Sequence, residues 1–125
     1  MQKECVICGH PYPEEHHIVF RGQQAALISC PHNKIYLCYE HHRGNKSPHM
    51  DRNIDLKYKR QFQLKLEGLF NHKECYSEEE VKRILLISKK DVRKLLKPLT
   101  IKIVGENAGY YRKDIIRQAL GGRNY

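Results

Sequence analysis

Two pairs of soft metal ligands share one spacing: Cys5 and Cys8 are separated by two residues, and so are Cys38 and His41. Thiolate and imidazole donors in such knuckles suit tetrahedral zinc. Cysteines buried only as small apolar residues would have no reason to repeat the spacing, so Cys5, Cys8, Cys38 and His41 are expected to bind a structural Zn²⁺. Such a site can supply on the order of ten kcal/mol of apparent folding energy. Cys30 and Cys75 lack a paired spacing and take no role. A four-ligand zinc site leaves His16-His17 and His42 unexplained. His41 and His42 are neighbours on an expected helix, about 100° apart around its axis, so one can face a structural ion while the other faces a different site.

The elements that must position these residues are short. Glu14–Phe20 and Ile35–Leu37 are strand candidates, with Asn33 in the loop between them and a short helix from Glu40 to the break at Gly44. Ile54, Tyr58, Phe62, Leu66 and Leu69/Phe70 recur at three- and four-residue steps, which predicts an amphipathic helix over 54–70. Ser77-Glu78-Glu79-Glu80 is a capping box that opens a helix with Val81, Ile84 and Leu85 on its apolar face. Ser88-Lys89-Lys90-Asp91 opens another, carrying Val92, Leu95 and Leu96 and ended by Pro98. Ile101–Val104 and Tyr110–Arg112 are strand-like, joined by the loop Gly105–Gly109, and Lys113–Leu120 is a last helix closed by Gly121-Gly122.

Composition bounds the function. The chain has 125 residues with 23 Lys and Arg against 14 Asp and Glu, a formal charge of +9 and a pI near 9.4, which points to a polyanionic partner. No stretch approaches the roughly 18 apolar residues of a membrane span, so no membrane partner is expected. The N-terminus lacks the apolar run of a signal peptide, so an intracellular, cytoplasmic setting with reduced thiols is expected. All eight His lie at or before His72, and the formal charge is +3 over residues 1–72 and +6 over 73–125. Two modules are therefore expected: 1–72, rich in metal ligands, and 73–125, basic.

The segments Glu15-His16-His17-Ile18-Val19, Asn33-Lys34-Ile35-Tyr36-Leu37-Cys38 and Cys38-Tyr39-Glu40-His41-His42 resemble the HNH endonucleases, whose core is a ββα-metal fold. The order His, Asn, His, bracketed by zinc knuckles, carries the resemblance over roughly residues 3–60. It implies that His17 is the general base, that Asn33 shapes the loop and helps hold that base, and that His16 and His42 hold a catalytic divalent ion such as Mg²⁺, Mn²⁺ or Ni²⁺. Cys5, Cys8, Cys38 and His41 match the structural zinc ligands. Neutral imidazole can accept a proton from water near pH 7, which suits the base. The chain departs from the family in three ways. The usual acidic ligand before the base is His16. A third ligand found in some members falls at Lys46, for which Asn45 or His49 could substitute. His16 and His17 would face opposite sides of a regular strand, and Glu15 is an alternative to His16 as a ligand.

In the basic half, Lys90, Arg93, Lys94 and Lys97 share one helix face while Val92, Leu95, Leu96 and Leu99 take the other. Two capped helices, a two-strand wing and a final helix over roughly 76–121 resemble the winged helix-turn-helix of excisionase and MerR-like domains. The resemblance implies a helix in the major groove and a wing near phosphate, with Arg112, then Lys102 and Lys113, as contacts. The expected whole is an α+β protein: a ββα-metal, treble-clef-like zinc module, a long helix, and a small winged helix-turn-helix. Its expected activity is metal-dependent hydrolysis of DNA phosphodiester bonds, most simply in duplex DNA. A homodimer would suit double-strand cutting. The compact form would suit a phage or mobile element. The competing expectations are a zinc-stabilised DNA-binding regulator with a degenerate HNH scaffold, and a nuclease acting on RNA or branched DNA.

Overall fold

The computed structural model describes residues 3–125 as a mixed α/β chain with two small antiparallel sheets and five helices. Strands β1 (Glu14–His17) and β2 (Lys34–Leu37) form the first sheet, with His16 opposite Ile35 and His17 opposite Lys34. Helix α1 (Tyr39–Arg43) follows directly, and α2 (Arg52–Leu69) begins at the Asp51 cap, whose carboxylate accepts from Asn53 N at 2.9 Å. Next come β3 (Cys75–Tyr76), α3 (Glu78–Leu85), α4 (Lys89–Leu96), β4 (Ile101–Val104), β5 (Asn107–Tyr111) and α5 (Arg112–Ala119). The second sheet has the order β3-β5-β4.

Local chemistry explains where these elements begin and end. The expected strand to Phe20 stops at His17 because Asn33 takes over the backbone beyond it. Asn33 Oδ1 accepts from Val19 N at 2.7 Å, and its Nδ2 donates to Val19 O at 3.0 Å. The Ser77 capping box is complete in both directions, whereas Ser88 caps α4 through its hydroxyl with Asp91 N as donor. The hairpin loop is shorter than the sequence suggests, since Asn107 and Gly109 belong to β5. Asn107 Oδ1 accepts from Cys75 N, and Gly109, at φ 143°, lets β3 approach so closely that a Cβ there would lie 2.7 Å from Tyr76 O. Arg112 opens α5 instead of ending a strand, its amide donating to Glu74 O at 2.8 Å.

Helix α2 departs most from its apolar pattern. Phe62, Leu66 and Phe70 are buried as expected, but in the first two turns the buried residues are Asp55 and Lys59, while Ile54 and Tyr58 are half-buried. The inward face there carries an ion pair instead of the expected hydrocarbon.

One cluster of buried side chains joins Val19, Leu27 and Cys30 to Phe62, Leu66, Val81, Leu85, Leu95, Ile115 and Leu120. Hydrogen bonds follow the same route: Cys30 Sγ to Leu85 O at 3.1 Å and Gln24 Nε2 to Gln118 O at 2.8 Å. A second, smaller cluster of Cys5, Leu37 and Cys38 lies beside the first knuckle, flanked by Ile35 and Tyr58.

Candidate metal centres

Cys5, Cys8, Cys38 and His41 converge as their spacing predicts, with donor atoms within 4.8 Å of one another. Cys38 Sγ lies 3.2 Å from His41 Nδ1, Cys5 Sγ lies 3.6 Å from the same nitrogen, and Cys8 and Cys38 sulfurs are 3.7 Å apart. Tetrahedral zinc, with bonds of about 2.3 Å to sulfur and about 2.0 Å to nitrogen, places neighbouring donors about 3.5–3.8 Å apart. The four residues therefore fit zinc. Burial opposes ionisation of Cys5, but the backbone amides of Cys38, Cys8 and Ile7 hold its thiolate and bring its pKa down to about 6. A thiolate prepared in this way is the ligand form of cysteine.

A second cluster is made of imidazoles alone. A ligand nitrogen from each of His16, His42 and His49 lies within 4.8 Å of the others, and the ring centroids are 4.7–5.1 Å apart. Strand β1 brings His16 inward and α1 brings His42, the neighbour of zinc-site His41. Gly44 then lets the chain leave the helix, since a Cβ there would meet Glu40 O at 2.4 Å. The buried Ser47 turns the chain back, its carbonyl accepting from Met50 N and Asp51 N, and so presents His49.

Hydrogen bonding defines the donors. His42 Nδ1 donates to Glu14 Oε1 at 2.7 Å, which directs the Nε2 lone pair into the cluster. His42 Nε2 lies 2.9 Å from His49 Nε2, a distance that requires one shared proton or a cation between them. His16 is 2% exposed, and its buried Nε2 has no hydrogen-bond partner among the described residues. A buried polar atom without a partner demands an explanation, and the ring that carries it packs edge-on against two further imidazoles, those of His42 and His49. Burial, then the charges of His42, His49, His17 and Lys59, push the His16 pKa down to about 3, so its lone pair is free. The hydrogen bonds to His42 and Arg43 hold the Glu14 carboxyl below its ordinary range.

The other expected site residues are placed as follows. His17 stands outside the triad and donates from Nε2 to Ile28 O at 3.0 Å, leaving Nδ1 as the acceptor nitrogen. Asn33 is fully buried, and besides its two bonds to Val19 it donates to Leu27 O at 3.2 Å, so it ties the strand end to the turn that holds His17. Glu15 points away from the triad, toward Lys34 at 3.4 Å and His17 at 3.7 Å. On α4, Lys90, Arg93, Lys94 and Lys97 are all exposed, opposite buried Val92, Leu95 and Leu96. Arg112 is only one-third exposed and lies 3.6 Å from Glu74, and Lys102 is paired with Asp114 at 2.7 Å.

Sequence reasoning raised His49 only as a substitute ligand and did not single out Glu14. Period-two alternation on β1, which places Glu14 and His16 on one face, is the signal that would have found Glu14. Among the described residues, no helix is long and apolar enough to cross a membrane. No family model matches the chain, and no curated protein or solved structure does either.

Proposed function

We propose that this protein is a metal-dependent endonuclease of the HNH type, with a ββα-metal centre, that hydrolyses DNA phosphodiester bonds. The observation that carries this reading is the convergence of three imidazoles, His16, His42 and His49, of which His16 is buried with an unpartnered Nε2 and has a separately oriented imidazole, His17, next to it in the chain. Three neutral imidazoles suit Mn²⁺ or Ni²⁺ better than Mg²⁺, which prefers oxygen ligands. They also leave the ion's charge uncancelled and coordination positions open. The chemistry a bound divalent cation supplies is Lewis-acid stabilisation of the scissile phosphate and the departing 3′-oxygen.

The chain's own residues do the rest. The Ile28 carbonyl fixes the tautomer of His17, so Nδ1 takes the proton from an attacking water. Asn33 keeps that carbonyl's turn and the strand end in register. Glu14 holds His42 in its ligating tautomer. Exposed His49 marks the open side of the triad, and Lys46, Arg21 and Arg52 are exposed basic residues available to hold the phosphate backbone, whereas Arg43 is paired with Glu14 at 3.1 Å. The basic face of α4 is read as the DNA contact of a winged helix-turn-helix. Arg112 contributes less to that contact because it is paired with Glu74.

A supercoiled-plasmid assay tests the proposal. With structural zinc left in place, Mn²⁺ or Ni²⁺ is expected to start nicking, and His17→Ala is expected to slow it by about 10²–10⁴-fold with metal binding retained. Binding of duplex without cutting under any metal would transfer the reading to the non-catalytic, zinc-stabilised regulator.

A further inference from the structure

Lys59 is 2% exposed and too deeply buried to reach a bound phosphate. Its Nζ donates to Asp55 Oδ2 at 2.8 Å and sits 3.9 Å from the centroid of the Phe20 ring. The same ring stacks on His49, at 5.7 Å between centroids and 18° between planes, and meets His16 edge-on at 5.9 Å. An unbroken line of contacts therefore runs from Asp55 through Lys59 and Phe20 to two of the three triad imidazoles. Folding alone gives little reason to retain a buried charge pair, since a hydrophobic pair of similar volume is often as stable or more so. What the ammonium adds is a fixed attraction for aromatic ring faces, close over Phe20 at 3.9 Å and more distant over Tyr125 at 5.8 Å. His49 needs such a support most, being an exposed residue on the connection between α1 and α2.

We propose that Lys59, held by Asp55, is a positioning residue for the imidazole triad, clamping Phe20 so that the ring fixes His49 and His16 at ligating separation. The inference rests on the triad being a metal site, and its test separates the two. Full-length protein with zinc in the Cys-His site is titrated with Co²⁺. Visible ligand-field bands without a thiolate charge-transfer band report Co²⁺ on imidazoles alone, and zinc content reports the other site.

Wild-type protein should develop these bands, and their absence would remove the triad reading itself. Lys59→Met and Phe20→Leu should each weaken Co²⁺ binding by about 10–100-fold, the range for supporting residues around a metal, and shift the bands. Lys59→Arg should restore much of the affinity, because a guanidinium also stacks on an aromatic ring and pairs with a carboxylate. The double variant should bind no worse than the weaker single one, as expected if both act along one line. Unchanged affinity and spectrum in Lys59→Met and Phe20→Leu, even with a lowered melting temperature, would overturn the proposal. So would strictly additive losses in the double variant. Should Lys59→Met fail to fold, Phe20→Leu decides alone: unchanged binding and bands in it refute the clamp.

Discussion

The two ligand clusters share a five-residue helix yet are built from opposite chemistry. His41 and His42 are consecutive in α1, and their side chains serve different clusters. The Cys5–Cys8–Cys38–His41 cluster offers three sulfurs and one nitrogen, enough to close a tetrahedron and overcompensate a divalent charge. The His16–His42–His49 cluster offers three neutral nitrogens, which neither close the coordination sphere nor cancel charge. A donor set of the first kind can hold a fold together, and one of the second kind would leave a bound ion with open coordination positions. With both on one short helix, metal in the closed cluster would steady the open one.

That asymmetry can be broken at several points. The largest effect is expected from Cys38→Ser. Cys38 is one of the four residues that could hold zinc, the cap of α1 and part of the small core around Cys5 and Leu37. Apparent zinc-binding energies of about 10–16 kcal/mol rival the whole stability of a domain, so this variant should lose zinc by elemental analysis and His-only Co²⁺ binding together, with a collapsed thermal transition. A Cys38→Ser protein that still binds Co²⁺ normally at the triad would show that α1 does not depend on zinc.

His42→Ala should act in one direction only. Triad binding should fall by at least about 100-fold, the upper end of the range for supporting residues, because a direct ligand is lost. Zinc content should stay at one equivalent. Glu14→Gln is milder: glutamine can still accept from His42 but loses the carboxylate's charge. Triad affinity should drop by about 10–100-fold by calorimetry, with the zinc site untouched. Equal damage to both sites by either variant would mean that the clusters are not separable.

Legibility in the sequence followed the range of each signal. The Cys5–Cys8–Cys38–His41 cluster was readable because a knuckle is local: two residues of spacing nearly determine convergence within each pair. The capped helices α3 and α4 were readable for the same reason, and Ser77 and Glu80 make the reciprocal bonds their spacing implies. His49 was less readable because it reaches the triad through the irregular return after Gly44, which has no period to count. Asp55 and Lys59 were hidden for a different reason. At i, i+4 a charged pair looks like a solvated helix face, and apolar counting chose Ile54 and Tyr58 one position away. The end of β1 escaped because the residue that ends it, Asn33, lies 14 positions from Val19.

Helix α4 packs directly on the Ala25–Leu27 turn, whose next residue, Ile28, provides the carbonyl that orients His17. If α4 grips DNA and His17 activates the water, no flexible tether separates grip from cut. The assembly would then work as a ruler of fixed length. Cleavage positions mapped at nucleotide resolution should lie at a constant offset from the strand protected by α4, instead of spreading over the window that a swinging linker allows.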